Sequence, residues 1–219
     1  MTFHPVPNNL RLLFDDSKSQ YVLYVLDSDG AVQSTHRVSG RLDSATGAAN
    51  SIDYAHHEIH SGSSYAVHTA ATLASAATIT VAFKTADSAA WPHMIVSARS
   101  SGESNLKLYE GGTWTTSSGS ALTCHNRNRN SSNTSGILGD STGTFTAGVM
   151  VKGPTGVNVG AATLFCEQHL GSGRNVGGEA RGVSEWILKA NTNYVFVFTS
   201  EANSNDCQIH LDWYEHTNI

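Results

Sequence analysis

The chain has 219 residues, enough for one all-β domain and a small appendage. Only 14% of them are charged, and 48 are Ser or Thr, which favour turns and sheet surfaces over helix interiors. The net charge of −5 argues against a nucleic-acid partner. No apolar run approaches the roughly 18 residues of a membrane span. We therefore expect a β-rich protein that binds neither nucleic acid nor a membrane.

Residues 1–50 predict a small N-terminal β-hairpin or arm. The opening "MTFHPVPNNLRLLFDD" has no charged segment followed by an apolar one, so we expect no secretory signal. In "QYVLYVLDSDGAVQSTHRV", two strand-like runs flank "SDG", where Gly30 suits the positive φ of a tight turn. The small polar stretch "GRLDSATGAANS" predicts a connector near residues 40 to 50.

Residues 51–219 predict a single sandwich domain. Alternating or β-branched runs follow one another as "SYAVHTAATL", "ATITVAFKT", "HMIVSARS", "NLKLYEG", "TFTAGVMVKG", "AATLFCEQHL", "YVFVFTSEA" and "CQIHLDWYEH". Strands of this length and spacing indicate an antiparallel β-sandwich of jelly-roll kind, and hence an all-β fold class. The best helix candidate is "GVSEWILKAN", about two turns long with Ser184 as a possible cap. "RNSSNTSGILGDSTGT" and "GSGRNVGGEARG" predict exposed loops.

The stretch "SIDYAHHEIHSGSSYAVH" contains four histidines and two acidic residues. On a strand, His56, Glu58 and His60 would share one face, which is a partial metal-ligand set. On a helix His56 and His60 would also converge, but "HHEIH" is one residue short of the HExxH protease motif. Because "SGS" ends a strand better than it continues a helix, we favour a strand whose polar face meets other protein. We expect no metal, no cofactor and no catalytic residue here.

The stretch "CHNRNRN" is a candidate contact with a partner protein. If this segment is extended, Asn126, Asn128 and Asn130 lie on one face, and Arg127 and Arg129 lie on the other. Amide groups suit backbone partners, and guanidinium groups suit carboxylates. The alternative is a solvated loop whose arginines aid solubility.

The cysteines and the C-terminal aromatic residues favour structural roles. Cys124, Cys166 and Cys207 form no CxxC pair, so we expect free thiols in a protein assembled in a reducing cytoplasm. Trp213 and Tyr214 in "LDWYEH" could form a platform for sugar stacking. We favour a role as core and interface anchors instead.

Three segments carry a family resemblance: "SIDYAHHEIHSGSSYAVH", "CHNRNRNSSNTS" and "WILKANTNYVFVFTSEANSNDCQIHLDWYEHTN". In this order they resemble a family of tailed-bacteriophage virion structural proteins of the head decoration, or cement, type. The resemblance covers roughly residues 50 to 219, and "NRNRNS" and "LDWYEHTN" are its most distinctive parts. It implies a non-enzymatic component of the phage head exterior, assembled in the host cytoplasm.

The resemblance implies a protein that binds the outside of the head and bridges neighbouring major capsid subunits. Its expected partners are the major capsid protein and further copies of itself in a homotrimer, so that many modest contacts add up. The N-terminal segment could donate a strand to a neighbour. The candidate contacts are Asn126, Arg127, Asn128, Arg129, Asn130, His56, Glu58 and His60.

Two alternatives belong to other functional classes. The first is a tail-fibre or receptor-binding module of the virion that recognises host-surface carbohydrate through Trp114, Trp213 or Tyr214. The second is a metal-dependent enzyme centred on the histidine-rich segment. We expect neither.

Overall fold

The structure is a computed structural model, and it describes residues 10–15, 20–26, 32–34, 54–140, 144–171 and 185–217. The chain divides into two compact units, Met1–Asp53 and Tyr54–Ile219.

The first unit contains a three-stranded antiparallel sheet. Its strands are β1 (Leu10–Asp15), β2 (Gln20–Leu26) and β3 (Val32–Ser34), with β2 in the centre. The predicted pairing of the two runs beside "SDG" is confirmed, because Val25 pairs with Ser34 and Leu26 with Val32. The turn itself and the predicted connector near residues 40 to 50 lie outside the described residues.

The second unit begins with a short helix, and the other regular elements of its described residues are strands. The elements are α1 (Tyr54–Ser61), β4 (Ser64–Leu73), β5 (Thr78–Lys84), β6 (Ala90–Ser100), β7 (Ser104–Glu110), β8 (Ser120–Thr123), β9 (His125–Asn126), β10 (Val149–Lys152), β11 (Thr163–Leu170), β12 (Trp186–Ile187), β13 (Asn193–Ser200) and β14 (Asn205–Thr217).

Two antiparallel sheets make up the sandwich. One has five strands in the order β12-β6-β14-β4-β9, and the other has six in the order β11-β7-β13-β5-β10-β8. When the insertion β8–β10 is set aside, four strands remain in each sheet, and the strand orders are those of a double-sheet jelly roll. The predicted all-β class and jelly-roll-like sandwich are therefore confirmed.

The core lies between the sheets and follows the alternation of the long strands. On β14, Cys207, Ile209, Leu211 and Trp213 are all buried, while the residues between them face outward. Aromatic rings of the six-stranded sheet meet this side, including Phe83 on β5, which packs edge-to-face on a neighbouring ring of β13. The predicted core role of Trp213 is confirmed.

Two loops form a partial third layer over the outer face of the six-stranded sheet. Residues 111–119 and 153–162, here called the cover loops, are joined by backbone hydrogen bonds such as that from the Thr113 N–H to the Asn158 carbonyl, at 3.0 Å. A Cβ added to Gly112 would lie 2.7 Å from a methyl carbon of Val195. Val195 points outward from β13, and this close approach explains its complete burial.

The predicted helix at "GVSEWILKAN" is wrong in its described part. Trp186 and Ile187 form strand β12, which pairs with Met94 and His93 of β6. The next backbone N–H, that of Leu188, donates to the Pro92 carbonyl at 2.9 Å. Pairing with a long neighbouring strand thus overrides the local helical pattern. The predicted cap, Ser184, lies outside the described residues.

Candidate functional site

The histidine-rich segment is a helix, so the predicted strand is wrong. Helix α1 ends in a Schellman motif: Gly62 has φ +77°, its N–H donates to the Ile59 carbonyl at 3.1 Å, and the Ser63 N–H donates to the Glu58 carbonyl at 3.0 Å. A glycine suits this left-handed position because it has no Cβ. "SGS" was therefore a helix stop, and Gly62 was the signal that could have identified it.

The helical geometry separates the three residues that were expected on one face. His56 and His60 are one turn apart, both exposed, with their Nε2 atoms 2.9 Å from each other. Glu58 is buried on another side of the helix, where it accepts hydrogen bonds from Ser61 Oγ, at 3.3 Å, and from Ser63 Oγ. The predicted set of two imidazoles flanking a carboxylate does not form.

The asparagine-rich segment is extended only at β9, His125–Asn126, and then folds into turns, so the condition for two separate faces is not met. Asn126 Oδ1 accepts the Asn128 N–H at 2.9 Å, and Asn128 Oδ1 accepts the Asn130 N–H at 3.1 Å. Each amide oxygen thereby closes a turn over the two residues that follow it. Asparagine side chains often make such hydrogen bonds, which compete with strand formation. The two separate faces, one of amides and one of guanidinium groups, therefore do not exist.

The two sequence motifs meet in space and form one structural unit. Asn128 Nδ2 donates to the His60 carbonyl at 3.2 Å, and Asn126 Nδ2 donates to the Gly62 carbonyl at 2.8 Å. The amides thus satisfy carbonyls that the end of a helix leaves without intrahelical partners. Residues 54–64 and 124–135 are here called the helix–loop unit.

The arginines of this unit have different surroundings. Arg127 Nη1 lies 3.0 Å from Asp212 Oδ2 on β14, and its backbone N–H donates to the Ser64 carbonyl at 2.8 Å. Arg129 Nη1 donates to the Asn126 carbonyl at 3.4 Å, and its side chain is exposed. Among the predicted contact residues, Asn126 and Glu58 are buried and serve the fold. The exposed ones are His56, His60, Arg127, Arg129 and Asn130.

Glu215 fixes the far end of the loop. Its carboxylate accepts the Gly136 N–H at 2.9 Å, the Trp213 indole N–H at 3.1 Å and the Ser135 hydroxyl. Burial, aided by the Glu215 charge, raises the pKa of the nearby Cys124 thiol to about 12. A thiol that stays protonated is a poor nucleophile. None of the three cysteines, Cys124, Cys166 and Cys207, forms a disulfide.

One end of the outer side of the five-stranded sheet is open and mostly polar. This open face consists of His68, Ala70, Thr72, Arg99, Gln208 and His210. His210 on β14 lies directly opposite His68 on β4, and burial lowers the pKa of the His210 imidazole. This pair is not visible in the sequence, because its members are more than a hundred residues apart in the chain and only strand register brings them together.

The other end of that outer side is closed by a buried polar cluster. His93 stacks on Tyr214 with ring centroids 4.7 Å apart, and Glu185 binds both, His93 Nδ1 at 3.0 Å and the Tyr214 hydroxyl at 2.9 Å. Tyr214 and Trp213 are buried, so neither is a surface platform for sugar rings.

One edge of the sandwich exposes large apolar side chains. Ile187 is 53% exposed, and it lies on β12, the last strand of the five-stranded sheet. Trp186 contacts Phe165 of β11, the edge strand of the other sheet, with ring centroids 5.1 Å apart. The exposed residues Trp91, Leu164, Trp186 and Ile187 are here called the apolar edge. The adjacent pair "WI" in a polar stretch was the sequence signal for it.

The described residues do not by themselves identify a reaction or a ligand. Within them, no group of three or more His, Cys, Asp and Glu side chains is arranged to hold a metal ion, and no helix is long and apolar enough to span a membrane. Comparison of the chain with protein-family models, with curated proteins and with solved structures finds no match.

Proposed function

We propose that this chain is a bacteriophage head decoration protein, which binds the outside of the capsid and bridges neighbouring major capsid subunits. The observation that carries the proposal is that the jelly roll presents two surfaces of different chemistry at opposite edges of its five-stranded sheet. The apolar edge lies at β12, and the helix–loop unit lies at β9. A bridging protein needs at least two such separate surfaces. The resemblance in the sequence and the use of jelly rolls in viral shells support the same function.

The apolar edge is the surface that we assign to contact between copies of this chain. Interfaces between identical subunits are more apolar than transient ones, and large exposed apolar side chains mark protein contacts. Leu164 is 43% exposed and Trp186 40% exposed, and both lie on strands that end a sheet. A homotrimer closed through this edge would remove those side chains from water.

The helix–loop unit and the open face are the surfaces that we assign to the capsid. Both are polar, and their exposed charged groups include Arg99 and Arg129. The guanidinium group of arginine pairs well with carboxylates, and polar surfaces suit a protein that is added after the shell has formed. Three copies bound together would multiply modest individual affinities.

The proposal is tested with undecorated phage heads and two variants. Arg129→Glu should leave the oligomer intact in analytical ultracentrifugation and weaken binding to heads at least tenfold. Ile187→Asp should give monomers, and its head binding should fall by about a hundredfold or more because multivalency is lost. Val157→Asp, the same kind of change at an exposed apolar residue of a cover loop, is the matched control and should alter neither measurement. A chain that stays monomeric and does not bind heads contradicts the proposal.

The second candidate is a carbohydrate-recognising module of the virion. The observation in its favour is that Trp91 and Trp186 present partly exposed indole rings. Glycan binding that is abolished by Trp91→Ala, together with only a few dozen copies per particle, would favour this candidate over decoration.

A further inference from the structure

The exposed pair of histidines on α1 has the geometry of a chelating site. His56 and His60 are separated by four residues, so that their side chains stack on one side of the helix. Their Nε2 atoms are 2.9 Å apart, and their ring centroids are 4.8 Å apart with an interplanar angle of 46°. Once both rings turn so that their Nε2 lone pairs point outward, the two nitrogens can bind a single ion.

The separation between the nitrogens fits some ion geometries better than others. Metal–imidazole bonds are about 2.0–2.1 Å long, so an ion bound to both Nε2 atoms at their observed separation subtends an angle of about 90°. That is the angle between neighbouring ligands in square-planar, tetragonal and octahedral complexes, which Cu²⁺ and Ni²⁺ form. A tetrahedral zinc site would need the two nitrogens about 3.4 Å apart.

The surroundings hold in place the helix backbone that carries the pair. Helix α1 is closed by the Schellman motif at Gly62, and Asn128 binds the carbonyl of His60 itself at 3.2 Å. On the buried side, Glu58 is bound by Ser61 and Ser63. The position of His60 in the last turn favours the binding of a cation, because the C-terminal end of a helix carries partial negative charge.

We propose that His56 and His60 form a surface binding site for a divalent transition-metal ion, with preference for Cu²⁺ and Ni²⁺ over Zn²⁺. Each ring contributes the lone pair of Nε2. The ring that donates the hydrogen bond between them releases its Nε2 proton to water and takes up a proton on Nδ1, so that both rings stay neutral and the hydrogen bond is replaced by two metal bonds. The carboxylate of Glu58 is held on the other side of the helix and takes no part. Water fills the remaining positions. This proposal does not depend on the proposed capsid function.

The test uses the full chain without an affinity tag, because a histidine tag would itself bind the ions. Isothermal titration with CuCl2, NiCl2 and ZnCl2 should give one tight site for Cu²⁺ and a weaker one for Ni²⁺, with Zn²⁺ at least tenfold weaker than Cu²⁺. Electron paramagnetic resonance of the Cu²⁺-loaded protein should show a tetragonal centre with two imidazole nitrogens.

Two substitutions decide whether the pair is responsible. His56→Gln and His60→Gln should each weaken Cu²⁺ binding at least tenfold, with an unchanged circular dichroism spectrum as the check on folding. His57→Gln on the same helix is the matched control and should retain the site. The chain has 11 histidines, so binding that survives both substitutions would come from elsewhere and would overturn the proposal. Tighter binding of Zn²⁺ than of Cu²⁺ would also overturn it.

Discussion

The outer sides of the two sheets differ, although both belong to the same jelly roll. On the six-stranded sheet, the outward-facing residues Ala82, Val151 and Val195 are fully buried. On the five-stranded sheet, His68 and Arg99 face outward and are exposed. The first side is covered by loops of the same chain, and the second is open to solvent around His68 and Arg99.

The difference shows which outward-facing positions of this fold carry apolar residues. An antiparallel sheet needs one buried face, and its second face takes apolar residues only where something covers it. The cover loops supply that layer over β5, β10 and β13, so valine and alanine occupy the outward positions there. Without a cover, histidine, arginine and glutamine occupy the equivalent positions of β4, β6 and β14. The open face is thus available for contacts with other molecules.

Placing a carboxylate on the outer side of each sheet should give the largest difference in the free energy of unfolding. Val195→Glu would bury an unpaired carboxylate beneath the loop at Gly112 and should lower the free energy of unfolding by at least about 3 kcal/mol. Ala70→Glu, on the exposed side, should change it by less than about 1 kcal/mol. Chemical denaturation with guanidinium chloride measures both. Equal losses would mean that the two sides are not covered differently.

Two glycines sharpen the test of the cover loops. Gly111 and Gly119 both have φ +86°, so replacing either by alanine carries the same backbone cost of about 1 kcal/mol. At Gly119 the new Cβ would also lie 2.6 Å from the Lys152 carbonyl oxygen, whereas at Gly111 nothing lies within 4 Å. We expect Gly119→Ala to cost about 1–3 kcal/mol more than Gly111→Ala, measured by denaturant unfolding. Equal costs would show that the loop at Gly119 can move away from the sheet.

The long strands could be predicted because their periodicity is visible in the sequence. In "CQIHLDWYEH" every second residue from Cys207 to Trp213 is apolar, and the structure buries those residues. The strands β8, β9 and β12 were missed because they have only two to four residues, too few to show a period. These short strands form because they pair with longer neighbouring strands, and that pairing leaves no pattern in the local sequence.

The candidate site was predicted in its residues but not in its geometry. The sequence singled out both motifs of the helix–loop unit, yet the predicted strand at the histidines is a helix, and the asparagine segment is extended only at β9. Asparagine and serine side chains bind the backbone a few residues away, as Asn126 does with Asn128. Such bonds do not recur with the two-residue period of a strand or the 3.6-residue period of a helix. The contact of Asn128 with His60 joins segments that are far apart in sequence, so only the folded chain reveals it.

The smallest expected effect concerns the acid stability of the open face. Burial lowers the pKa of His210, so the folded state favours the neutral ring, and stability is lost as the pH falls below the ordinary imidazole value of 6.5. His210→Gln should flatten this acid slope. The change should be well under about 1 kcal/mol, because the ring is only half-buried and salt screens its neighbours. Thermal unfolding between pH 7 and pH 5 measures it.

The charged neighbours of His210 allow the effect of charge on its pKa to be separated from the effect of burial. Arg99 and Arg127 disfavour the protonated ring, as does the opposing His68, whereas Asp212 favours it. Nuclear magnetic resonance titration of the His210 ring should therefore give a higher pKa in Arg99→Gln and a lower one in Asp212→Asn. Shifts in the same direction in both variants would mean that a change in burial outweighs the charges. In that case burial, and not the charge of the neighbouring groups, would control the titration of the open face.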